Sequence, residues 1–238
     1  MKLKKSTLLL PLVFAASMFA SPFANALQME PLSLVLKPAG AGANQIFSVI
    51  NESAKPIAVQ FSMTTRQQQG DKEIRLPADD KFMIYPPQTI IPPKTAQKVR
   101  VQWLGDSNVQ QEQAFRLIAE QVHVSLDKEP TGVTMLMKLV GALYVQPSKT
   151  QSNVRVSAVR PQGNKLSVTV ANTGTRHQIL DKAILNLQHG NQVISLKGNQ
   201  LLGMEGKNVL AKSTQQFLIN KPAQVQNAAW VASLNVQK

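Results

Sequence analysis

The chain has 238 residues, 43% of them apolar, with 26 Lys and Arg against 13 Asp and Glu and no cysteine. That length allows one large or two small domains, and the lack of cysteine excludes a disulfide framework, so the fold rests on core packing alone. The formal net charge of +13 would suit a nucleic-acid binder, but the basic residues are scattered with few aromatics between them and read as a solvated surface. A functional use of that charge would be toward a partner with acidic groups, or a carboxylate.

Residues 1–26 stand apart. Lys2, Lys4 and Lys5 form a positive n-region, Leu8 to Ala20 an apolar h-region, and Ala24-Asn25-Ala26 an A-x-A cleavage site. That is the pattern of a secretory signal peptide. The expectation is an exported, soluble mature chain from Leu27, with a net charge of +10 once the three leader lysines are set aside. No later run approaches transmembrane length. Export argues against nucleic acid, and a disulfide-free exported chain of this size points to a bacterial periplasm.

Strand patterns fill the mature chain. Leu32 to Leu36 alternates and is followed by a turn at Pro38 to Gly42. Gln45 to Asn51 is a strand that ends at Asn51-Glu52-Ser53. Pro56 to Thr65 sets Ile57, Val59, Phe61 and Met63 on one face. Arg66 to Asp80 is polar and reads as a loop or irregular edge. Phe82-Met83-Ile84-Tyr85 leads into Pro86-Pro87, and Ile90-Ile91 into Pro92-Pro93. Prolines confine these pieces to edges or turns and allow a cis bond at Tyr85-Pro86 or Ile91-Pro92. Lys98 to Trp103 alternates cleanly, and Gly105 to Glu112 is a polar loop. Asn108 to Ala119 is the one stretch with a helical period, and it overlaps a strand-like run from Phe115 to Val124.

Thr131 to Pro147 is the most apolar run of the mature chain, broken only by Lys138 and Gly141. Both its faces read as hydrophobic, so both need a cover. One face would meet the domain's own core, and the other would be open to a partner chain. Pro147 to Ser152 then reads as a linker. Beyond it the strand pattern restarts at Val154 to Val159, Lys165 to Asn172, Ile179 to Leu187, Gln192 to Leu196, Thr214 to Ile219 and Trp230 to Val236. Val49-Ile50-Asn51-Glu52-Ser53 has an echo in Val170-Ala171-Asn172-Thr173-Gly174, an apolar strand closing on Asn at a turn. Short strands at regular spacing predict an all-β chain of two tandem immunoglobulin-like sandwiches.

No catalytic pattern emerges. His123, His177 and His189 lack metal-ligand spacing, and His123 reads as a packed or edge histidine. There is no G-x-S-x-G, P-loop or glycine-rich phosphate cradle. Asp79-Asp80 sits in a polar stretch and reads as a solvated turn. The expectation is a protein that is not an enzyme and uses no cofactor or metal.

The block Phe82-Met83-Ile84-Tyr85-Pro86-Pro87, then Ile91-Pro92-Pro93 and Gln97-Lys98-Val99-Arg100-Val101, resembles the first domain of the periplasmic pilus-assembly chaperones, the PapD-like superfamily. That family carries F-x-(V/I)-x-P-P followed by L-x-P-x-x-x-Q-x-V-R-(V/I). Tyr144-Val145-Gln146-Pro147 is similar to its Y-x-x-P corner. Leu166 to Gly174, with His177 just beyond, resembles its L-x-(V/I)-x-N-x-G element. The resemblance spans nearly all of the mature chain, and the proline block is its most specific part. It implies two immunoglobulin-like domains set at an angle, 27–147 and 148–238. The implied function is to bind one pilus subunit per chaperone and deliver it to an outer-membrane usher, without nucleic acid and without stable membrane insertion.

By this resemblance the last strand of the first domain completes the subunit's open sheet, a form of β-augmentation. Val133, Met135, Met137 and Leu139 are the expected donor row. They make a longer unbroken apolar row than Leu136, Val140 and Ala142, and methionine suits a surface that fits several related subunits. The family also clamps the subunit's C-terminal carboxylate with two buried cations between the domains. In the better-known branch these lie on the first and last strands. Here the first strand offers only Lys37, and Lys138 lies further from Pro147 than that branch's lysine would. Phe115-Arg116-Leu117 looks instead like the (Y/F)-R-(V/L) element of the archaic and alternative branches. Arg116 is thus the expected main anchor, through a bidentate guanidinium–carboxylate pair, with Lys138 second. The alternative for Arg116 is an outward-facing strand arginine. Arg100 is expected to pin the domain through an acidic partner. The rival function is an exported immunoglobulin-like structural or adhesive pilus component, although such a subunit would usually be one domain, often with a cysteine pair.

Overall fold

The computed structural model describes residues 27–123, 136–225 and 229–236. The leader and part of the long apolar run, including Val133 and Met135, lie outside them. In chain order the first half contains β1 (Leu27–Glu30), β2 (Ser33–Leu36), β3 (Asn44–Asn51), β4 (Ile57–Thr65), β5 (Gln67–Gln69), β6 (Lys72–Ile74), β7 (Phe82–Tyr85), β8 (Gln88–Ile91), β9 (Thr95–Trp103), β10 (Gln113–Val122) and β11 (Lys138–Val145). The second contains β12 (Val154–Gln162), β13 (Lys165–Asn172), β14 (Gln178–Ile179), β15 (Ala183–His189), β16 (Gln192–Lys197), β17 (Asn208–Val209), β18 (Ser213–Asn220) and β19 (Val231–Val236). The chain is all-β, in two tandem immunoglobulin-like sandwiches.

The first sandwich packs the sheet β1-β3-β9-β7 against the sheet β2-β11-β10-β4-β8. Alternation decides which side chains lie between them. Ile57, Val59, Phe61 and Met63 of β4 face Phe47 and Val49 of β3 and Val99, Val101 and Trp103 of β9 in one buried cluster. Phe82, Trp103 and Phe115 pack with ring centroids 4.8–5.6 Å apart, Phe82 edge-on to the other two and Trp103 tilted against Phe115. Prolines mark several of the points where the chain changes sheets. Pro31 lies between β1 and β2, and Pro86-Pro87 between β7 and β8, with cis bonds at Glu30-Pro31 and Tyr85-Pro86.

The second sandwich packs β12-β13-β18 against β16-β15-β19, with the short pair β14-β17 beside them. Leu166, Val168, Val170, Leu185, Leu187 and Phe217 lie in its separate core. The Asn echo proves to be one device used twice. Asn51 is fully buried; its Nδ2 donates to Lys55 O and Ile91 O at 2.8 and 2.9 Å, while its Oδ1 accepts from Ser53 N at 2.9 Å. Asn172 donates to Arg176 O and Val209 O at 2.8 and 3.1 Å and accepts from Gly174 N at 2.9 Å. Each amide closes the turn after its strand and ties that turn to a neighbouring chain segment, so that both polar ends of Asn51 and of Asn172 are paired.

Arg66 to Asp80, read as a loop or irregular edge, contains the β5–β6 hairpin. Asn108 to Ala119 is not helical; its second half is the start of β10, where alternation outweighs the weak helical period. Leu27–Glu30, taken only as the start of the mature chain, is a strand paired to β3.

Candidate functional site

β11 is the element around which the site forms. On one side it pairs antiparallel with β10 along its whole length, Lys138 opposite Glu120 and Val145 opposite Gln113. On the other side β2 pairs with it only over Ala142–Val145, plus a bond from Ala142 N to Leu32 O. The outer edge of β11 is therefore unbonded from Lys138 to Gly141 among the described residues. An open edge presents N–H and C=O groups ready for another strand.

The faces of β11 are fixed by its docked end. Gly141, Leu143 and Val145 point into the first core, and Met137 and Leu139 continue that row, half-buried at the core's margin. At Gly141 the strands approach closely: a Cβ there would lie 2.8 Å from the Met29 sulfur of β1, so the Met29 side chain would have to shift. The opposite row, Leu136, Lys138, Val140, Ala142 and Tyr144, faces outward. Leu136 is exposed and Tyr144 is buried. Tyr144 is covered by the second sandwich, not by a partner chain. Its ring stacks on His177 at 4.1 Å, and its hydroxyl accepts from Asn208 Nδ2 at 2.6 Å.

Arg116 lies on β10 directly opposite Ala142 on one side and Thr64 of β4 on the other. Ala142 is too short to cover it. The β5–β6 hairpin does so instead and brings Glu73 onto the guanidinium. Arg116 Nη2 donates to Glu73 Oε2 at 2.6 Å and Nε to Oε1 at 3.1 Å, a bidentate fork. Arg66 Nε donates to the same Oε2 at 2.8 Å, and its Nη1 to Tyr144 Oη at 2.8 Å. Arg75 Nε donates to Oε1 at 2.6 Å. Three guanidinium groups thus converge on one carboxylate. Burial raises the Tyr144 phenol above its ordinary pKa, and the charge of Glu112 adds to that rise, whereas Arg66 and Arg116 act against it. The phenol thus stays neutral beside the arginines. The Arg116 side chain keeps 17% of its surface exposed, so the site is covered but not sealed.

A second polar knot joins the sandwiches. The Glu112 side chain is 1% exposed. Its Oε1 lies 3.0 Å from His177 N and 2.7 Å from His177 Nδ1, and its Oε2 accepts from Gln146 Nε2 at 3.2 Å. Glu112 N donates to Thr175 O at 2.9 Å. A cleft of about 350 Å³ opens beside this knot, lined by Arg66, Gln68, Lys81, Glu112, Lys212 and Ser213 among others.

The other sequence candidates fall elsewhere. Lys138 is half-exposed and pairs with Glu120 at 2.9 Å. It stands four positions along β11 from the residue opposite Arg116, about 13 Å at strand spacing, so the structure does not bring Lys138 and Arg116 to one carboxylate. Arg100 is exposed on β9, and no ion pair to it occurs among the described residues, against the expected pin. His123 is exposed at the end of β10. Asp79 and Asp80 are exposed in a short turn, as expected, and Asp79 also accepts from Met63 N of β4 at 2.7 Å. Arg66 and Glu73 carry no sequence signal beyond being charges in a polar stretch; only the hairpin's fold-back reveals them.

The chain is thus an all-β protein of two immunoglobulin-like sandwiches, with an open strand edge and an arginine cluster on its first sandwich. The family profile described as "Pili and flagellar-assembly chaperone, PapD N-terminal domain" matches residues 26–151, and the chain belongs to that family. Among solved structures it is similar to the CsuC–CsuE chaperone–tip adhesion subunit complex of Acinetobacter baumannii (16% identity, TM-score 0.59, 84% of this chain and 89% of that one). It is similar also to the class 5 fimbriae chaperone CfaA (14%, 0.56, 89% and 100%) and to the E. coli chaperone DraB (18%, 0.53, 83% and 85%). At these identities the likeness is one of fold. No curated protein matches the chain in sequence.

Proposed function

We propose that this chain is a periplasmic chaperone, exported by a cleavable leader, that captures one pilus subunit by lending it β11 and passes it to an outer-membrane usher. The proposed division is 27–147 for the domain that carries the lent strand and 148–238 for the second. The observation that carries the reading is the unbonded edge of β11 over Lys138–Gly141. A strand added in the plane of the sheet keeps the same two faces. The row that faces the core at Leu143 and Val145 continues through Leu139 and Met137 beside the open edge, and strand alternation would carry it on to Met135 and Val133, toward the face where an incoming sheet would have its own core. Main-chain bonds along the edge would supply register, and this row would fill the partner's gap, the established logic of donor-strand complementation.

Arg116 is the anchor for the subunit's terminal carboxylate, with Arg66 as its companion in place of Lys138. Both guanidinium groups already hold a carboxylate with charge-assisted geometry, and the fork of Arg116 suits a planar carboxylate better than an ammonium would. The test is a periplasmic pull-down with subunits encoded beside this gene. Wild type should hold a pilin-sized partner one to one. Arg116→Ala, and also Arg116→Lys, should lose it while melting cooperatively. Normal capture by a folded Arg116→Ala protein would remove Arg116 from the anchor. Wild-type protein found only in high-mass polymer would favour the rival reading as a structural pilus component.

A further inference from the structure

The anchor in this molecule is already full, and its occupant belongs to the chain itself. Glu73 takes the bidentate edge of Arg116 and the Nε of Arg66. A second carboxylate cannot use the same edge while Glu73 remains there. We infer, resting on the function proposed above, that Glu73 is an internal stand-in for the partner's terminal carboxylate, holding the anchor closed until that carboxylate displaces it.

Four features fit such an exchange. Among the described residues the β5–β6 hairpin forms strand pairs only with itself, although β5 also lies beside β18 of the second sandwich; its strands are Gln67–Gln69 and Lys72–Ile74, with positive-φ Gly70 at the tip. Neither strand contributes a residue to the buried core, and such an element can shift without opening the sandwich. Glu73 does not leave alone, because Arg75, two residues on in the same hairpin, already holds its Oε1. The displaced carboxylate thus stays paired, and the arriving one finds two arginines aligned. The cap also lets the free protein keep Arg116 and Arg66 satisfied, where an uncompensated pair of like charges would repel. Finally, a cap that is itself a carboxylate selects for one. A neutral or amidated chain end could not replace the charge-assisted bonds it would break.

The test has two arms on the full mature protein. In the first, acetate is titrated into wild type and Glu73→Gln while the arginine side-chain Nε–Hε resonances are followed by NMR. Acetate should shift Arg116 in Glu73→Gln at concentrations about tenfold below those that shift it in wild type, the scale of one charge-assisted pair. In the second, a pilin subunit with a free C-terminus and the same subunit amidated there are offered to both proteins. Glu73→Gln should capture the free-carboxylate subunit faster and more tightly than wild type, and the amidated one no better. Equal behaviour of the two proteins in the acetate arm would overturn the inference. So would loss of capture by a folded Glu73→Gln protein, which would make Glu73 a positioning residue for the arginines. If acetate discriminates but neither protein captures any subunit, the cap stands and the proposed function fails. If both capture the free-carboxylate subunit equally, the function stands and the cap fails.

Discussion

At Glu73, burial alone would raise the carboxyl pKa, but hydrogen bonds from Arg116 and Arg75 and the charges of Arg116 and Arg66 outweigh it and hold the group down from 4.5 to about 2. A depressed carboxylate contributes stability that is fully present above its ordinary value and is lost as pH falls to the folded one. Thermal melts taken from neutral pH downward should therefore show wild type losing stability between about 4.5 and 2. Glu73→Gln should be less stable than wild type at neutral pH and should lack that acid-dependent step, since its arginines stay charged throughout. Identical acid limbs for the two proteins would mean that the triple-arginine contact adds nothing to folding. The same residues show what a sequence conceals. Arg116 was singled out by the resemblance of Phe115-Arg116-Leu117 to the family's (Y/F)-R-(V/L) element, and as a cation inside an apolar run it also breaks the local pattern. Lys138 breaks its own run in the same way, yet it lies half-exposed at the sheet's margin, where the long side chain reaches solvent and Glu120 at low cost. Glu73 and Arg66 were not legible at all. Their meaning comes from a hairpin folding back across the sheet, which no local period encodes.

β11 is two elements joined at Gly141, one docked between β10 and β2 and the other with a free edge. The two halves should respond differently to truncation. Leu143 is fully buried, so Leu143→Ala should cost about 2–5 kcal/mol of stability. Met137 is only half-buried, and Met137→Ala should cost roughly 1 kcal/mol yet sharply weaken subunit capture, because its side chain would fill the partner's core. Chemical denaturation paired with the pull-down separates these effects. A Met137→Ala protein that captures normally would take that row out of the donor role. Most elements could be read from the sequence because alternating strands buried on one face write their own pattern, as β4, β9 and β13 do. β11 was harder. With both faces apolar, its pattern could not say that the second sandwich covers Tyr144, the hairpin covers Arg116, and Leu136 stays open.

At the scale of the whole molecule, the site exists only if the sandwiches keep one relative pose, because Arg66 is held through Tyr144, and Tyr144 is held by Asn208 and His177 of the second sandwich. The two cores are separate, so the pose depends on a few contacts at the junction. Glu112 is the most buried charged residue among them, and three donors of two different segments converge on it. Gly174 belongs to the same junction. A Cβ there would lie 2.3 Å from Gln151 O and 2.5 Å from Asn153 N, so the glycine of the N-x-G element lets the linker backbone lie flat on the second sandwich. Glu112→Ala should strand the His177 N–H and the Gln146 amide, at roughly 2–3 kcal/mol, while leaving both cores intact. Calorimetry should then resolve two transitions where wild type shows more strongly coupled melting, and the subunit complex should weaken even though Arg116 is untouched. Glu112→Gln, which keeps an acceptor for the His177 N–H, should fall between the two. If Glu112→Ala melted like wild type and still bound its subunit, the junction would be ornamental, and the arginine anchor would have to be an autonomous property of the first sandwich.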